Sequence, residues 1–183
     1  MERTFGDVIV RPSPIQGLGV FAARDFRAGE VIFDTSELRL VTDEHPLGEG
    51  EEERHCDWLA DGRQVLLPEP ARYINHSCDP NVFVRTIDGI RHVLALRDIR
   101  TGEEITYDYC VNGYGDVVWH CNCGADRCRG TIHSDFFHLP LDLQWQYLPL
   151  LDEWFRKERS EDIEKLKARG PQGHSVPDRH AIV

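Results

Sequence analysis

The chain has 183 residues with a formal net charge of −11, and 40% of its residues are hydrophobic and 29% charged. This composition is typical of a globular domain, and no apolar run approaches the roughly 20 residues of a membrane helix. The acidic charge disfavours general binding to nucleic-acid phosphates and suits a basic partner. The first residues lack the apolar core of a signal peptide, so we expect an intracellular protein.

Short strands are predicted at 8–11, 19–23, 30–34 and 38–41, where β-branched residues are separated by turn residues. Between the first two strands lies Gly17-Leu18-Gly19, a turn whose backbone can approach a ligand closely. The turn is too short for a GxGxxG dinucleotide motif, and no helix is predicted after it.

An acidic segment follows at 43–54, and we expect it to form a mobile surface loop. One hypothesis is that its carboxylates attract a basic substrate, and the simpler interpretation is a solvated loop. Residues 56–67 are typical of a hairpin that turns at Asp61-Gly62, and a short helical turn is predicted before Tyr73.

The stretch 72–81 has the sequence Arg-Tyr-Ile-Asn-His-Ser-Cys-Asp-Pro-Asn, which is too polar for a core strand and too irregular for a helix. By itself it is compatible with a well-capped turn. Strands at 81–86 and 90–96 are joined by Ile87-Asp88-Gly89, which predicts a hairpin, and another strand begins at Ile105.

Two helical pieces are predicted at 143–151 and 153–169, with a break near Pro149. Their apolar residues recur at roughly helical spacing, so we expect these helices to dock onto the domain. The stripe comprises Trp145, Tyr147, Leu148, Leu151, Trp154 and Phe155. Residues past Gly170 are predicted to be a disordered tail.

Cys121, Cys123 and Cys128 form a C-x-C-x4-C cluster. In a chain without a secretion signal, such a cluster indicates metal ligands rather than disulfides. Tetrahedral zinc takes four thiolate or imidazole ligands, so a fourth ligand must come from elsewhere. Cys110 and His120 are two candidates.

Four features follow one another along the chain: the Gly17–Gly19 turn with the residues after it, the Asn75-His76-Ser77-Cys78 stretch, the Gly102–Tyr109 stretch and the cysteine cluster. Together, in this order, they resemble the SET-domain protein lysine methyltransferases with a post-SET zinc segment. The resemblance covers about residues 8–132. It implies a mostly-β fold (the β-clip or SET fold), with several small sheets and a knot-like crossing where the chain that ends in Tyr109 passes beside Asn75. It also implies a SET domain at 5–116, a short zinc segment at 117–133, a C-terminal helical extension at 134–169 and a tail at 170–183.

The activity implied is transfer of methyl groups from S-adenosylmethionine to a lysine amine in a basic protein, such as a histone. Tyr109 would be the main catalytic residue, by positioning rather than by removing a proton. Tyr107 would influence the number of methyl groups, and we expect mono- or dimethylation. The cofactor contacts implied by the resemblance are Gly17, Leu18 (where many members have Trp), Gly19, Arg72, Tyr73, Asn75, His76, Tyr109 and Asn122.

The resemblance also implies that Cys78 supplies the fourth zinc thiolate beside Cys121, Cys123 and Cys128. One alternative is a catalytically silent SET domain that acts as a protein-interaction module. A zinc-dependent nucleic-acid-binding protein is a further alternative that the acidic charge disfavours. We expect no direct nucleic-acid contact and no membrane contact. The expected location is the nucleus if the protein is eukaryotic and acts on histones, and otherwise the cytoplasm.

Overall fold

The computed structural model describes residues 2–59 and 62–170, and it is built mainly from short strands. The strands are β1 (Arg3–Phe5), β2 (Val8–Pro12), β3 (Leu18–Ala22), β4 (Val31–Asp34), β5 (Arg39–Leu40), β6 (Cys56–Trp58), β7 (Gln64–Leu66), β8 (Asn75–His76), β9 (Val82–Ile87), β10 (Ile90–Ala95), β11 (Glu104–Tyr107), β12 (Val118–His120) and β13 (Thr131–His133). They form several small sheets, which confirms the predicted fold class.

The largest sheet has five strands in the order β1-β2-β3-β11-β8. Strand β2 begins with β-branched residues, of which Val8 and Val10 are fully buried and Ile9 on the opposite face is half-buried. Strand β11 pairs antiparallel with β3 on one side and parallel with β8 on the other. This sheet therefore joins segments that lie far apart in the sequence.

Two further sheets confirm the predicted hairpins. β9 and β10 pair antiparallel around Asp88 and Gly89, whose φ angles of +52° and +79° suit the tight hairpin turn. Strand β4 completes that sheet, in the order β4-β10-β9. The order of the other sheet is β5-β7-β6, and Trp58 pairs with Gln64 across it. The predicted turn residue Asp61 lies outside the described residues.

The acidic segment contains no strand among its described residues, but it ends in a 3₁₀ turn over Glu53–His55. Part of it is tied down: Glu51 accepts a hydrogen bond from the Gly48 amide and pairs with Arg39. A second 3₁₀ turn, at Ala71–Tyr73, confirms the helical turn predicted before the polar stretch.

The C-terminal part has three α-helices, α1 (Leu141–Tyr147), α2 (Glu153–Glu158) and α3 (Ser160–Ala168), with 3₁₀ turns at Phe136–His138 and Leu148–Leu150. The prediction of one helix over 153–169 was wrong, because the helix breaks at Arg159. At the break, the Arg159 guanidinium lies over the Phe137 ring and pairs with Asp135, which are both distant in sequence, and it also pairs with Asp162 one turn later. The predicted tail beyond Gly170 lies outside the described residues.

Two apolar cores hold these elements together. One lies under the five-stranded sheet and contains Val8, Val20 and Ile105. The other joins the C-terminal helices to the cysteine-rich segment, and the stripe residues Tyr147, Leu151 and Phe155 are buried in it, which confirms the predicted docking. Among the described residues, no helix is long and apolar enough to cross a membrane.

Candidate active site and metal centre

The candidate site lies where β11 passes beside β8. Thr106 pairs with Asn75 and Tyr107 pairs with His76 in a parallel register. The chain that ends in Tyr109 therefore runs directly alongside the polar stretch, which confirms the predicted neighbourhood. Since parallel strands so distant in sequence need a long connection, only the completed fold brings these residues together.

The Asn75 side chain connects the polar stretch (residues 72–81) to the glycine turn (Gly17–Gly19) by hydrogen bonds. Its amide nitrogen lies 3.1 Å from the Gln16 carbonyl oxygen, 3.0 Å from the Leu18 carbonyl oxygen and 2.9 Å from a Glu104 carboxylate oxygen. A Cβ atom at Gly19 would lie only 2.3 Å from the same Glu104 oxygen. A larger residue at this position would push the Glu104 carboxylate away from Asn75.

Tyr109 stands at the open end of β11, and 43% of its surface is exposed. Its hydroxyl donates to the Ile74 carbonyl oxygen at 2.7 Å. Burial of the ring, with a smaller effect of the Glu104 charge, raises the pKa of Tyr109 to about 12. Tyr109 is thus a neutral hydrogen-bonding group near pH 7, and a poor base.

His76 links Tyr109 to the cysteines. Its Nδ1 accepts a hydrogen bond from the Tyr109 backbone N–H at 3.2 Å, and burial lowers the pKa of His76 to about 4. A neutral imidazole whose Nδ1 accepts must carry its proton on Nε2. That nitrogen lies 3.5 Å from the Cys78 Sγ atom, so it can donate to a thiolate there. The ring also packs edge-on against Trp119, with centroids 5.6 Å apart.

The Tyr107 hydroxyl is held inside the protein. It donates to the Val111 carbonyl oxygen and lies 3.3 Å from the Asn112 side-chain nitrogen. Burial raises the pKa of Tyr107 well above its ordinary value. Both hydrogen-bonding functions of this phenol are therefore used by the loop that follows Tyr109.

The Sγ atoms of Cys78, Cys121, Cys123 and Cys128 all lie within 4.8 Å of one another. The Cys78 and Cys121 sulfurs are 3.8 Å apart, and tetrahedral zinc with Zn–S bonds of about 2.3 Å places its sulfurs roughly 3.8 Å apart. The four residues therefore fit a closed zinc site. Cys110, in contrast, donates its Sγ–H to the His133 carbonyl oxygen at 3.0 Å and lies outside this group, as does His120.

An ion pair that sequence reasoning missed attaches the cysteine segment to the end of β11. The Arg129 guanidinium makes two hydrogen bonds to the Asp108 carboxylate, at 2.7 and 2.9 Å. Asp108 has no exposed surface, and the Arg129 backbone N–H lies 3.4 Å from the Cys78 Sγ atom. In the sequence, Arg129 directly follows Cys128 and Asp108 stands between two tyrosines, but nothing in the sequence indicates that the two residues form an ion pair.

Three predicted cofactor residues are less directly tied to this site. Arg72 donates to the Leu67 carbonyl oxygen at 2.9 Å, and the Tyr73 hydroxyl donates to Glu69 at 2.9 Å. Asn122 is exposed between two of the clustered cysteines. Their roles stay predictions, as do those of the other predicted cofactor contacts.

Comparison with known proteins identifies the family. The SET domain profile matches residues 17–110, just over half of the chain. The chain belongs to the SET domain family. The matched stretch begins at the glycine turn and ends just after Tyr109, so it includes Asn75 and His76. The cysteines of the C-x-C-x4-C cluster lie beyond it.

Several curated relatives of this SET domain chain are named as histone-lysine methyltransferases. Human histone-lysine N-methyltransferase 2B is 37% identical over 142 residues, which cover 66% of this chain and 5% of that protein. Trithorax from Drosophila virilis is 32% identical over 153 residues, which cover 73% of this chain and 4% of that protein. The chain thus spans only a small part of the length of these relatives.

A solved structure supports the SET fold. The methyltransferase domain of human histone-lysine N-methyltransferase SETMAR aligns with a TM-score of 0.50 at 20% identity. The alignment covers 69% of this chain and 57% of that one. At this identity the likeness concerns the fold alone.

Proposed function

We propose that this SET domain transfers methyl groups from S-adenosylmethionine to the side-chain amine of a lysine in a basic protein. The observation that carries the proposal is the convergence of Tyr109, Asn75 and the glycine turn. Asn75 lies within hydrogen-bond distance of the Leu18 carbonyl oxygen, and its strand runs beside the one that ends in Tyr109. The names of the curated relatives agree with this activity.

The proposed reaction requires the protein to align the methyl donor with the lysine amine and to exclude water. S-adenosylmethionine, when bound, supplies an electrophilic methyl group on a positive sulfonium. The lysine amine attacks as a neutral group, although its ordinary pKa is about 10.4, and burial beside a positive charge favours the neutral form. The Tyr109 hydroxyl orients the reacting groups by hydrogen bonding, since its raised pKa makes it unsuited to remove a proton.

For the cofactor, we propose that Asn75 and His76 hold the methyl donor together with Gly17, Leu18 and Gly19. Gly19 leaves room for Glu104 to stay against the Asn75 amide, which fixes the direction of that side chain. Further contacts from Arg72, Tyr73 and Asn122 belong to the same proposal.

For the metal, we propose that Cys78, Cys121, Cys123 and Cys128 hold a structural zinc ion. Four thiolates leave no open coordination position, so the ion would supply folding energy rather than catalysis. It would fasten the segment at 117–133 beside the end of β11. This segment lies in the sequence between the proposed SET domain at 5–116 and the helical extension at 134–169.

For the substrate, we propose a lysine-containing basic protein, because the chain carries a net charge of −11. Histones are the first candidates, since the relatives are named for histone lysines. A nuclear location follows for a eukaryotic protein of this kind. Tyr107 at the end of β11 supports mono- or dimethylation as the expected product.

The test is methyl transfer from labelled S-adenosylmethionine to histones and other basic proteins, with mass spectrometry of the products. We expect labelled lysine with the wild-type protein, and a Tyr109→Phe variant with turnover lower by orders of magnitude and cofactor binding retained. Near wild-type turnover of this variant would refute the role of Tyr109. Absence of both transfer and cofactor binding in folded, zinc-loaded protein would instead favour a silent interaction module.

A further inference from the structure

The Tyr107 hydroxyl is connected to the C-terminal helices through a single side chain, that of Asn112. Asn112 lies in the loop after Tyr109 with a φ of +64°, a left-handed conformation that few non-glycine residues adopt. Its amide nitrogen lies 3.3 Å from the Tyr107 hydroxyl oxygen. Its amide oxygen accepts the Asp152 backbone N–H at 2.7 Å.

The chemistry of the partners fixes the orientation of this amide. A backbone N–H can only donate, so the Asn112 atom that faces Asp152 must be the oxygen. The NH₂ group then faces Tyr107, whose hydroxyl proton is already donated to the Val111 carbonyl oxygen. The phenol hydroxyl therefore donates to one neighbour and accepts from the other, so two hydrogen bonds fix the position of its oxygen.

Asp152 is itself hydrogen-bonded to a strand of the domain. It is 1% exposed, and its carboxylate accepts from the Thr86 backbone N–H at 3.0 Å and from the Thr86 hydroxyl at 2.8 Å. Thr86 belongs to β9, so the start of α2 is anchored to a strand of the domain. A continuous chain of hydrogen bonds runs from β9 through Asp152 and Asn112 to Tyr107.

We propose that Asn112 is a positioning residue for Tyr107, and that through it the C-terminal extension controls how many methyl groups the lysine receives. This inference rests on the proposed function, because it assumes that Tyr107 borders the lysine. With the Asn112 amide in place, Tyr107 stays fixed and the space for a methylated amine stays small. Without it, the phenol gains freedom and the space increases.

The test compares Asn112→Gly with Asn112→Asp. Glycine keeps the left-handed conformation and removes both hydrogen bonds, whereas aspartate keeps the acceptor for Asp152 and replaces the donor that faces Tyr107. We expect both variants to shift the product ratio toward higher methylation by about threefold or more. Asp88→Gly is the matched control, since Asp88 also has a positive φ but lies in the β9–β10 turn. It should leave the ratio unchanged.

A second measurement does not depend on activity. In a double-mutant cycle with Tyr107→Phe and Asn112→Gly, we expect the shift of the denaturation midpoint in the double variant to be smaller than the sum of the single shifts. Additive shifts would overturn the proposed contact, and an unchanged product ratio in both Asn112 variants would overturn the control of methylation. If the wild-type protein methylates no substrate, the proposed function fails, and the cycle still decides whether Asn112 positions Tyr107.

Discussion

Replacing Arg129 by methionine tests the link between the cysteine segment and the strand that carries Tyr109. The change removes the partner of Asp108, which has no exposed surface, while most of the apolar stem remains. Breaking a buried ion pair by removing one partner costs roughly 3–5 kcal/mol of the free energy of unfolding, because the remaining charge is left uncompensated. For a domain of this size, each kcal/mol lowers the melting temperature by about 2–4 °C, so we expect a fall of about 6–20 °C.

The assays are thermal melting and urea unfolding of the zinc-loaded protein, with the matched control Arg27→Met. Arg27 pairs with Asp98 at 2.9 Å, but their side chains are 85% and 60% exposed, so the control should lose much less stability than Arg129→Met. Arg129→Lys should be intermediate, since an ammonium group cannot make the paired hydrogen bonds of a guanidinium. A loss in Arg129→Met no larger than that of the control would refute the reasoning.

Three further predictions concern pH, metal and substrate. The rate of methyl transfer should rise from pH 7 to about pH 10, because a larger fraction of the lysine amine is neutral as the pH approaches its ordinary pKa of about 10.4. Tyr109 stays neutral over this range, since its pKa is raised to about 12. A rate that falls over this range would contradict the mechanism. Cys78→Ser should release zinc to a colorimetric chelator faster than the wild-type protein, whereas Cys110→Ser should retain it, and zinc loss in the Cys110 variant would argue against the assigned ligand set. Replacing the exposed Glu44 and Glu49 by glutamine should raise KM for a basic peptide more at low salt than at high salt, and a salt-independent KM would exclude attraction by the acidic segment.

Local chemistry explains why many elements could be predicted. The Asp88-Gly89 turn between two β-branched strands specifies a hairpin in the sequence itself, and the structure has that hairpin. The β-branched residues Val8, Ile9 and Val10 likewise favour a strand. The long C-terminal helix was predicted wrongly because its break depends on Asp135, which is distant in sequence and binds Arg159.

In the candidate site too, some features are visible in the sequence and others arise only from the fold. The clustering of Cys121, Cys123 and Cys128 is visible in the sequence because these cysteines are close neighbours along the chain. The partner of Arg129, the orientation of the Asn112 amide and the bond from His76 to the Tyr109 backbone are not visible, since each joins residues that only the fold brings together.

The sequence by itself determined the short strands, the hairpin turns, the local cysteine cluster and the motifs of the SET domain family. Each depends on residues within about ten positions of one another, where backbone preferences and spacing act directly. The family resemblance implied that Cys78 joins the other three cysteines, but only the tertiary structure brought the four sulfurs together and left Cys110 and His120 outside that group. It did so because the parallel pairing of β8 with β11, and the burial of Asp108 with Arg129, depend on packing across the whole domain.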